Sequence, residues 1–397
     1  PAFMKMLYRK LCRIFCPILV TASLNSIAFA GKADEASATF FKDEKIPHLE
    51  ITLEAPADGG SPFAALTKSP RKYVKATLTE GGKTYPDVGV HLRGGASFRK
   101  IDAKAGLTFN MSKFAPEKTF HGMDKFHLCN SVQDSSYLCE LLGSELFLAA
   151  GVPVARIHHV TVSINGQMRG LYYLKEGYDK YFLKRHFKNA DGNFYDGGFL
   201  HDVNMGLKLV RTKADVKNWN DLRALNAAAR EKDLEQRFLK FEKLLDMDAF
   251  ISAAVVSAII WDWDGYMFNA NNYRIYHHPE LDKVTFIPSG FDQIFGNSGN
   301  LLNRTIGPPT HGLVARAVFQ APEGRARYFK RMAEINKTML APEKWSKRID
   351  ELTARIEQEL TKVDPRAGAD YPAQIKRIRE FFADRQKGIE QQLETAK

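Results

Sequence analysis

Acids and amides stand among large apolar residues in two short segments, where packing alone would not ask for them. The first runs Trp261-Asp262-Trp263-Asp264-Gly265-Tyr266 and on through Asn269, Asn271, Asn272 and Tyr273. The second runs Phe286-Ile287-Pro288-Ser289-Gly290-Phe291-Asp292-Gln293. A strand pair between them, near 272–276 and 283–287, would bring Asp264, the asparagines and Asp292 to one end of a hairpin. That donor set suits phosphoryl transfer. A magnesium ion takes hard oxygens, one or two from protein and the rest from phosphate and water. A separate carboxylate can then orient or deprotonate the acceptor hydroxyl. Asp264 and Asn269 stand at the Asp-x-x-x-x-Asn interval of kinase catalytic loops. The competing reading is plain: Asp262, Asp264 and Asp292 would also make ordinary caps of turns and helices.

The elements that must hold these residues follow from periodicity. Alternating patterns at 48–53, 73–78, 88–92 and 106–111 predict an antiparallel sheet, with a turn at Glu80-Gly81-Gly82-Lys83. Tyr137, Leu138, Leu141, Leu142, Leu146 and Phe147 recur at helical spacing behind a cap at Asp134-Ser135-Ser136. Strands at 156–164 and 170–174 flank Asn165-Gly166, a strong hairpin signal. From Leu183 the chain turns mainly helical, with two packed helices at 234–260 and helices again from about 313. Trp345, Ile349, Leu352, Ile356 and Leu360 form one apolar stripe, a core-facing surface. The class is α+β and bilobal: a β-rich N-lobe over 47–177 with one main helix, and a larger α-rich C-lobe over 178–340 carrying the acid-bearing hairpin. Helices over 341–397 would pack on that lobe. Ligands favour such interdomain clefts.

The N-terminus reads as a separate module. Lys5, Arg9, Lys10 and Arg13 precede an apolar run from Ile14 to Ala22, and Ala28-Phe29-Ala30 is a small-x-small cleavage pattern. Residues 1–30 are therefore expected to be a signal peptide cleaved after Ala30, with 31–46 a linker and the product exported to periplasm, surface or medium. The run is short for a bilayer span and Asn25 and Ser26 interrupt it, so no stable membrane insertion is expected. Lys and Arg outnumber Asp and Glu by 57 to 46; losing residues 1–30 removes four bases and no acid, leaving about +7. That excess suits an anionic ligand such as a nucleotide. No basic stripe with interleaved aromatics points to nucleic acid. Nothing in the sequence calls for an oligomer, and a monomer is expected.

Cys129 and Cys139 could close a small loop by a disulfide or stand as two buried thiols; no zinc-type spacing is present. His158-His159, in a strand, should send one ring in and one out; His277-His278 closes a hairpin. Neither pair has a third ligand at metal spacing. Arg316 reads as a buried structural arginine, and no Gly-x-Ser-x-Gly elbow supports a serine hydrolase.

Four blocks, in order, resemble the CotH (spore coat protein H) kinase-like family, closest to its secreted bacterial members. They are His91-Leu92-Arg93-Gly94-Gly95-Ala96-Ser97-Phe98-Arg99, Gly170-Leu171-Tyr172-Tyr173-Leu174-Lys175-Glu176-Gly177, and the two acid-bearing segments. The resemblance covers roughly 40–335. It implies a divergent protein-kinase fold, ATP with Mg²⁺ or Mn²⁺, and transfer to Ser or Thr of a secreted or envelope protein. By position it implies Lys104 (with Lys100 the alternative) as the lysine gripping the nucleotide phosphates, paired with Glu145 or else Glu140. Arg93 and the N–H groups of Gly94 and Gly95 would cover phosphates. The Lys175-Glu176-Gly177 backbone would meet the adenine, and Asp264 would be the catalytic base. Asp292 with Asn269 or Asn272 would hold the metal. The rival reading is a pseudokinase that keeps the fold and serves assembly of an envelope structure.

Overall fold

The computed structural model describes residues 32–55, 59–116, 118–213, 218–296 and 304–395; the expected signal peptide lies outside them. In chain order the first elements are α1 (Lys32–Lys42), β1 (His48–Thr52), α2 (Ala64–Lys68), β2 (Val74–Glu80), β3 (Lys83–Arg93), β4 (Gly106–Asn110), β5 (Lys125–Cys129), α3 (Cys139–Ala149), β6 (Ile157–Ile164) and β7 (Gln167–Glu176). Then come α4 (Lys180–Phe187), β8 (Phe194–Asp196), β9 (Lys208–Arg211), α5 (Asn220–Ala229), α6 (Leu234–Leu244), α7 (Met247–Ile260), α8 (Tyr266–Asn269), β10 (Tyr273–His278) and β11 (Lys283–Pro288). Four helices follow: α9 (Leu313–Gln320), α10 (Pro322–Met339), α11 (Pro342–Val363) and α12 (Pro365–Thr395). The chain is a mixed α+β protein.

The first seven strands close into a barrel in the order β1-β2-β3-β4-β5-β7-β6. The expected antiparallel pairing holds along the sheet, but β1 also pairs in parallel with β6, from His48 opposite Thr161 to Ile51 opposite Ile164, and this closes it. Closure removes both sheet edges. The Asn165-Gly166 turn has positive φ at both residues, 49° and 74°, as a two-residue hairpin requires. Its asparagine also fastens the seam: Oδ1 accepts from Leu53 N at 2.7 Å and Nδ2 donates to Leu53 O at 3.0 Å. The interior is filled by one parity of each strand, including Leu92, Leu107, Phe109, Phe126, Leu128 and Leu174.

Both faces of β6 are covered, one by the barrel interior and the other by α3 and α11, so all eight residues are buried. This corrects the in-and-out reading of the histidine pair. His158 Nε2 meets Lys45 O at 3.0 Å and His159 Nε2 meets Tyr137 O at 2.7 Å. Burial holds both rings below the ordinary histidine pKa, at about 4 and about 3.

The remaining strands form a second sheet in the order β11-β10-β8-β9. Beneath it runs α7, apolar on every side and buried everywhere except at Asp248. Its last carbonyls lack helical partners, as at every helix C-terminus. Arg385 of α12 supplies them: Nε donates to Ile259 O and Nη2 to Ala258 O, both at 3.0 Å. The structural arginine is thus Arg385, while Arg316 is exposed. The stripe from Trp345 to Leu360 is buried as expected. Among the described residues no helix is long and apolar enough to cross a membrane.

Candidate functional site

The outer wall of the barrel carries the opposite parity to its core, and on one side that parity is polar. His91, Thr108, His127 and Lys175 stand in register across β3, β4, β5 and β7. One step along, Arg93 donates to the Cys129 thiol sulfur, with Tyr173 in register beside Cys129. Arg93 can lie across β4 because residue 106 is glycine: a Cβ there would stand 3.1 Å from Arg93 Cγ. Burial, then the charges of Arg93 and Lys175, push the His127 pKa well down, so a neutral ring faces this wall.

The key contact comes from α3. Glu140 is 2% exposed and pairs with the buried Lys175 ammonium through one oxygen. Its other oxygen accepts from Phe291 N at 2.6 Å, which docks the Asp292 segment on the helix. Gly143, one turn on, makes room for that segment, since a Cβ there would lie 2.8 Å from Ile294 Cδ1. Burial opposes the charge on Lys175, but Glu140 outweighs it and the lysine pKa stays raised. Asp292 is half-buried, and its carboxyl is pushed up to about 6, first by burial and next by Glu140, with Lys175 offsetting part.

The Asp264 segment faces the same place from the helical side. Trp261 ends α7 in the left-handed region at φ 55°, and the chain turns at once into Asp262. The Asp262 carboxyl is fully buried against Gly265, where a Cβ would come within 2.1 Å of Oδ2, so only glycine fits. Desolvation raises its pKa to about 8. Asp264 is held by three amides. Nδ2 of Asn269 and Nδ2 of Asn271 each donate to Oδ1 at 3.1 Å, and Asn272 Nδ2 donates to Oδ2 at 2.8 Å. An amide that spends its NH₂ on Asp264 keeps its carbonyl oxygen for another partner. Asn272, itself at φ 50°, packs on Gly290, two residues before Asp292; a Cβ on that glycine would lie 3.1 Å from Asn272 Oδ1. Ser289 N donates to Asn272 O at 2.9 Å, joining the two segments at the open end of the β10–β11 hairpin.

The residues singled out in the sequence separate into two groups. Arg93, Lys175, Asp264, Asn269, Asn272 and Asp292 gather around this cleft. Lys104 and Glu145 do not meet. Lys104 precedes β4, where its Nζ donates to Tyr137 OH at 2.7 Å beside the Tyr137 and Tyr172 rings, and burial lowers its pKa to about 8. Glu145 pairs instead with Arg348 of α11 at 2.6 Å. Five helical steps of about 100° turn Glu145 some 140° away from Glu140, so the two serve different faces. Glu176 is spent on Arg156 and Arg185, which hold its pKa down near 2 against burial. The backbone N–H groups of Glu176 and Gly177 donate to Arg156 O and Lys125 O, both at 3.0 Å, and so are not open to a base as expected. Asn271 joins Asp264 with the other two asparagines of its segment, while His127 and Cys129 are site neighbours that only strand parity in Tyr173-Leu174-Lys175 could have marked. Cys129 and Cys139 are buried free thiols.

Among the described residues no three His, Cys, Asp or Glu side chains converge on one ion position. The donor set is instead one carboxylate with amide oxygens, which fits a hard cation completing its shell with phosphate and water. Residues 90–389 match the family described as CotH kinase protein. The chain belongs to that family. The CotH match takes in every residue of the cleft from His91 to Asp292, and begins within β3, after β1 and β2. The chain is also similar to two CotH proteins of Rhizopus delemar. Invasin CotH3 is 25% identical over 66% of this chain and 46% of its own length. Invasin CotH2 is 25% identical over 57% of this chain and 41% of its own length. The match thus spans less than half the length of these CotH relatives.

Proposed function

We propose that the protein is an ATP- and divalent-metal-dependent kinase that phosphorylates Ser or Thr of secreted or envelope proteins. The observation that carries this reading is Glu140. One carboxylate joins the barrel lysine to the Asp292 segment, opposite an aspartate fixed by three amides. The barrel and the helical half would then act as the two lobes of a divergent kinase-like fold. Lys175 and Arg93 would bind phosphate oxygens, with Glu140 keeping the ammonium charged and aimed. Asp292 and Asn272 would hold Mg²⁺ or Mn²⁺, which supplies neutralisation of the charge on the transferred phosphoryl group. Asp264 would orient the acceptor hydroxyl and take its proton. Export is part of the proposal, and the naming of both relatives as invasins supports a surface or secreted setting.

One observation favours the rival pseudokinase scaffold: both oxygens of Asp264 already accept amide hydrogens, which leaves fewer lone pairs for an acceptor hydroxyl. Labelled ATP, Mg²⁺ or Mn²⁺ and a generic protein acceptor, tested with the purified chain and its Asp264→Ala and Asp292→Ala variants, decide between them. Label lost in both variants establishes the kinase. Metal-dependent ATP binding with no transfer to any acceptor would favour the scaffold.

A further inference from the structure

The connection between β8 and β9 stands beside the Asp264 segment and exposes large apolar side chains. Phe199 is 74% exposed, Leu200 43%, Met205 54% and, on β9 itself, Val210 52%. The connection is firmly built. Asp202 in its middle is buried, accepting from Tyr266 OH at 3.1 Å and from Leu313 N at 2.6 Å. Tyr273 OH donates to His201 O at 2.8 Å, and Trp219 Nε1 donates to Leu207 O at 3.0 Å. Tyr266 lies two residues from Asp264, and Tyr273 follows the Asn272 that holds it. Leu200 sits in the left-handed region at φ 55°, where a Cβ crowds the following carbonyl oxygen. A strained leucine held against solvent by a fixed scaffold is not a product of chain flexibility.

Among the described residues the second sheet ends on β9, beside this group, and β9 pairs with β8 alone. Exposure alternates along it, with Lys208 and Val210 outward. An edge strand with outward apolar residues is a template for a further strand. Its direction fits the site. Lys208 is in register with Asp196, and Asp196 with Arg274, the neighbour of Tyr273. A chain laid on β9 therefore leaves the sheet, at the Lys208 end, on the side of Asp264.

Charge narrows the occupant. From Gly197 to Lys213 the acidic residue is Asp202, buried and hydrogen-bonded, while Lys208, Arg211 and Lys213 are basic. Lys213 pairs with Asp191 and Arg211 donates to Ala190 O, while Lys208 is exposed next to the apolar group, and the acid in register with it, Asp196, is paired with Arg274.

Resting on the kinase reading above, we propose that Phe199, Leu200, Met205 and the β9 edge dock the acceptor protein. The docked segment is extended, bears apolar and acidic side chains, and adds as a fifth strand that delivers its Ser or Thr to Asp264. The test uses the full chain and two short fluorescent peptides, each with one Ser and alternating Leu and Phe. One carries Glu between them, the other Lys. Anisotropy without ATP should show the Glu peptide binding at least about tenfold tighter, a difference of 1.4 kcal/mol. Phe199→Ser with Met205→Ser should lose that binding about tenfold, and Lys208→Glu should reverse the preference. Metal-dependent ATP binding should be unchanged in all variants, and the acceptor KM should rise at constant kcat. Equal binding of the two peptides, or binding indifferent to these variants while ATP still binds, overturns the docking proposal and leaves the kinase reading standing. So does finding that the Phe199 variant abolishes binding to anionic phosphatidylglycerol vesicles, or a dimer in sedimentation, in place of peptide binding. Peptide binding as stated, with no phosphoryl transfer, supports the docking surface and refutes the kinase.

Discussion

Replacing Asp292 with Asn should stabilise the ligand-free chain while ending its metal-dependent nucleotide binding. The folded protein holds this carboxyl at a pKa of about 6, above its ordinary 3.8, because burial and the Glu140 charge oppose ionisation. At about 1.4 kcal/mol per unit the gap corresponds to at most about 3 kcal/mol. The group is half-buried, and solvent screening brings the expected effect to about 1–2 kcal/mol. Because the folded value is raised, the folded state keeps a proton that the unfolded chain has released. The favourable contribution is fully present below about pH 4, declines as pH rises toward 6 and is gone above it. Asparagine cannot titrate. Urea unfolding without metal or nucleotide should therefore show the variant matching the parent near pH 4 and exceeding it by 1–2 kcal/mol at about pH 7.5. Saturating ATP with Mg²⁺, at about a hundred times the Kd, should add roughly 2.7 kcal/mol to the parent and nothing to the variant. A variant less stable at neutral pH, or a difference that does not change with pH, refutes the argument.

Three further outcomes follow from the same contacts. Lys175→Met leaves Glu140 charged and buried and should cost about 3–5 kcal/mol in urea unfolding, most of it recovered in the Lys175→Met/Glu140→Gln double variant. Glu145→Gln breaks a pair about one-third exposed on each side, so it should cost under about 1 kcal/mol and leave phosphoryl transfer intact, whereas Glu140→Gln abolishes transfer. Lys104→Met should change the Kd for ATP by less than about threefold, because the amine is engaged with Tyr137 outside the cleft; a loss of binding would restore Lys104 to the phosphate site.

What was legible in the sequence was local. The Asn165-Gly166 hairpin, the helices at 234–260 and the joining of the Asp264 and Asp292 segments at one hairpin end all follow from short-range pattern. Barrel closure was not legible, because β1 meets β6 across more than a hundred residues and no periodicity records that pairing. The strands β8 and β9 span three and four residues, too short for alternation to register. The lysine that pairs with α3, Lys175, escaped the sequence for a different reason. The family resemblance points to Lys104 by its place in a motif and to Lys175 only through its backbone. Strand parity would have set Lys175 on the outer wall beside His127, where α3 can present Glu140. Helical geometry would likewise have separated Glu140 from Glu145.

The hold of Arg385 on α7 has a temporal consequence. It ties the helix end that launches Trp261, Asp262 and Asp264 to a side chain 126 residues further along the chain. During synthesis at about 5–20 residues per second, the acid-bearing turn waits on the order of 10 s for its anchor. A nascent chain thus carries an unfinished centre until α12 has emerged. A chain assembled in this order gains its final shape around Asp264 only once α12 has arrived.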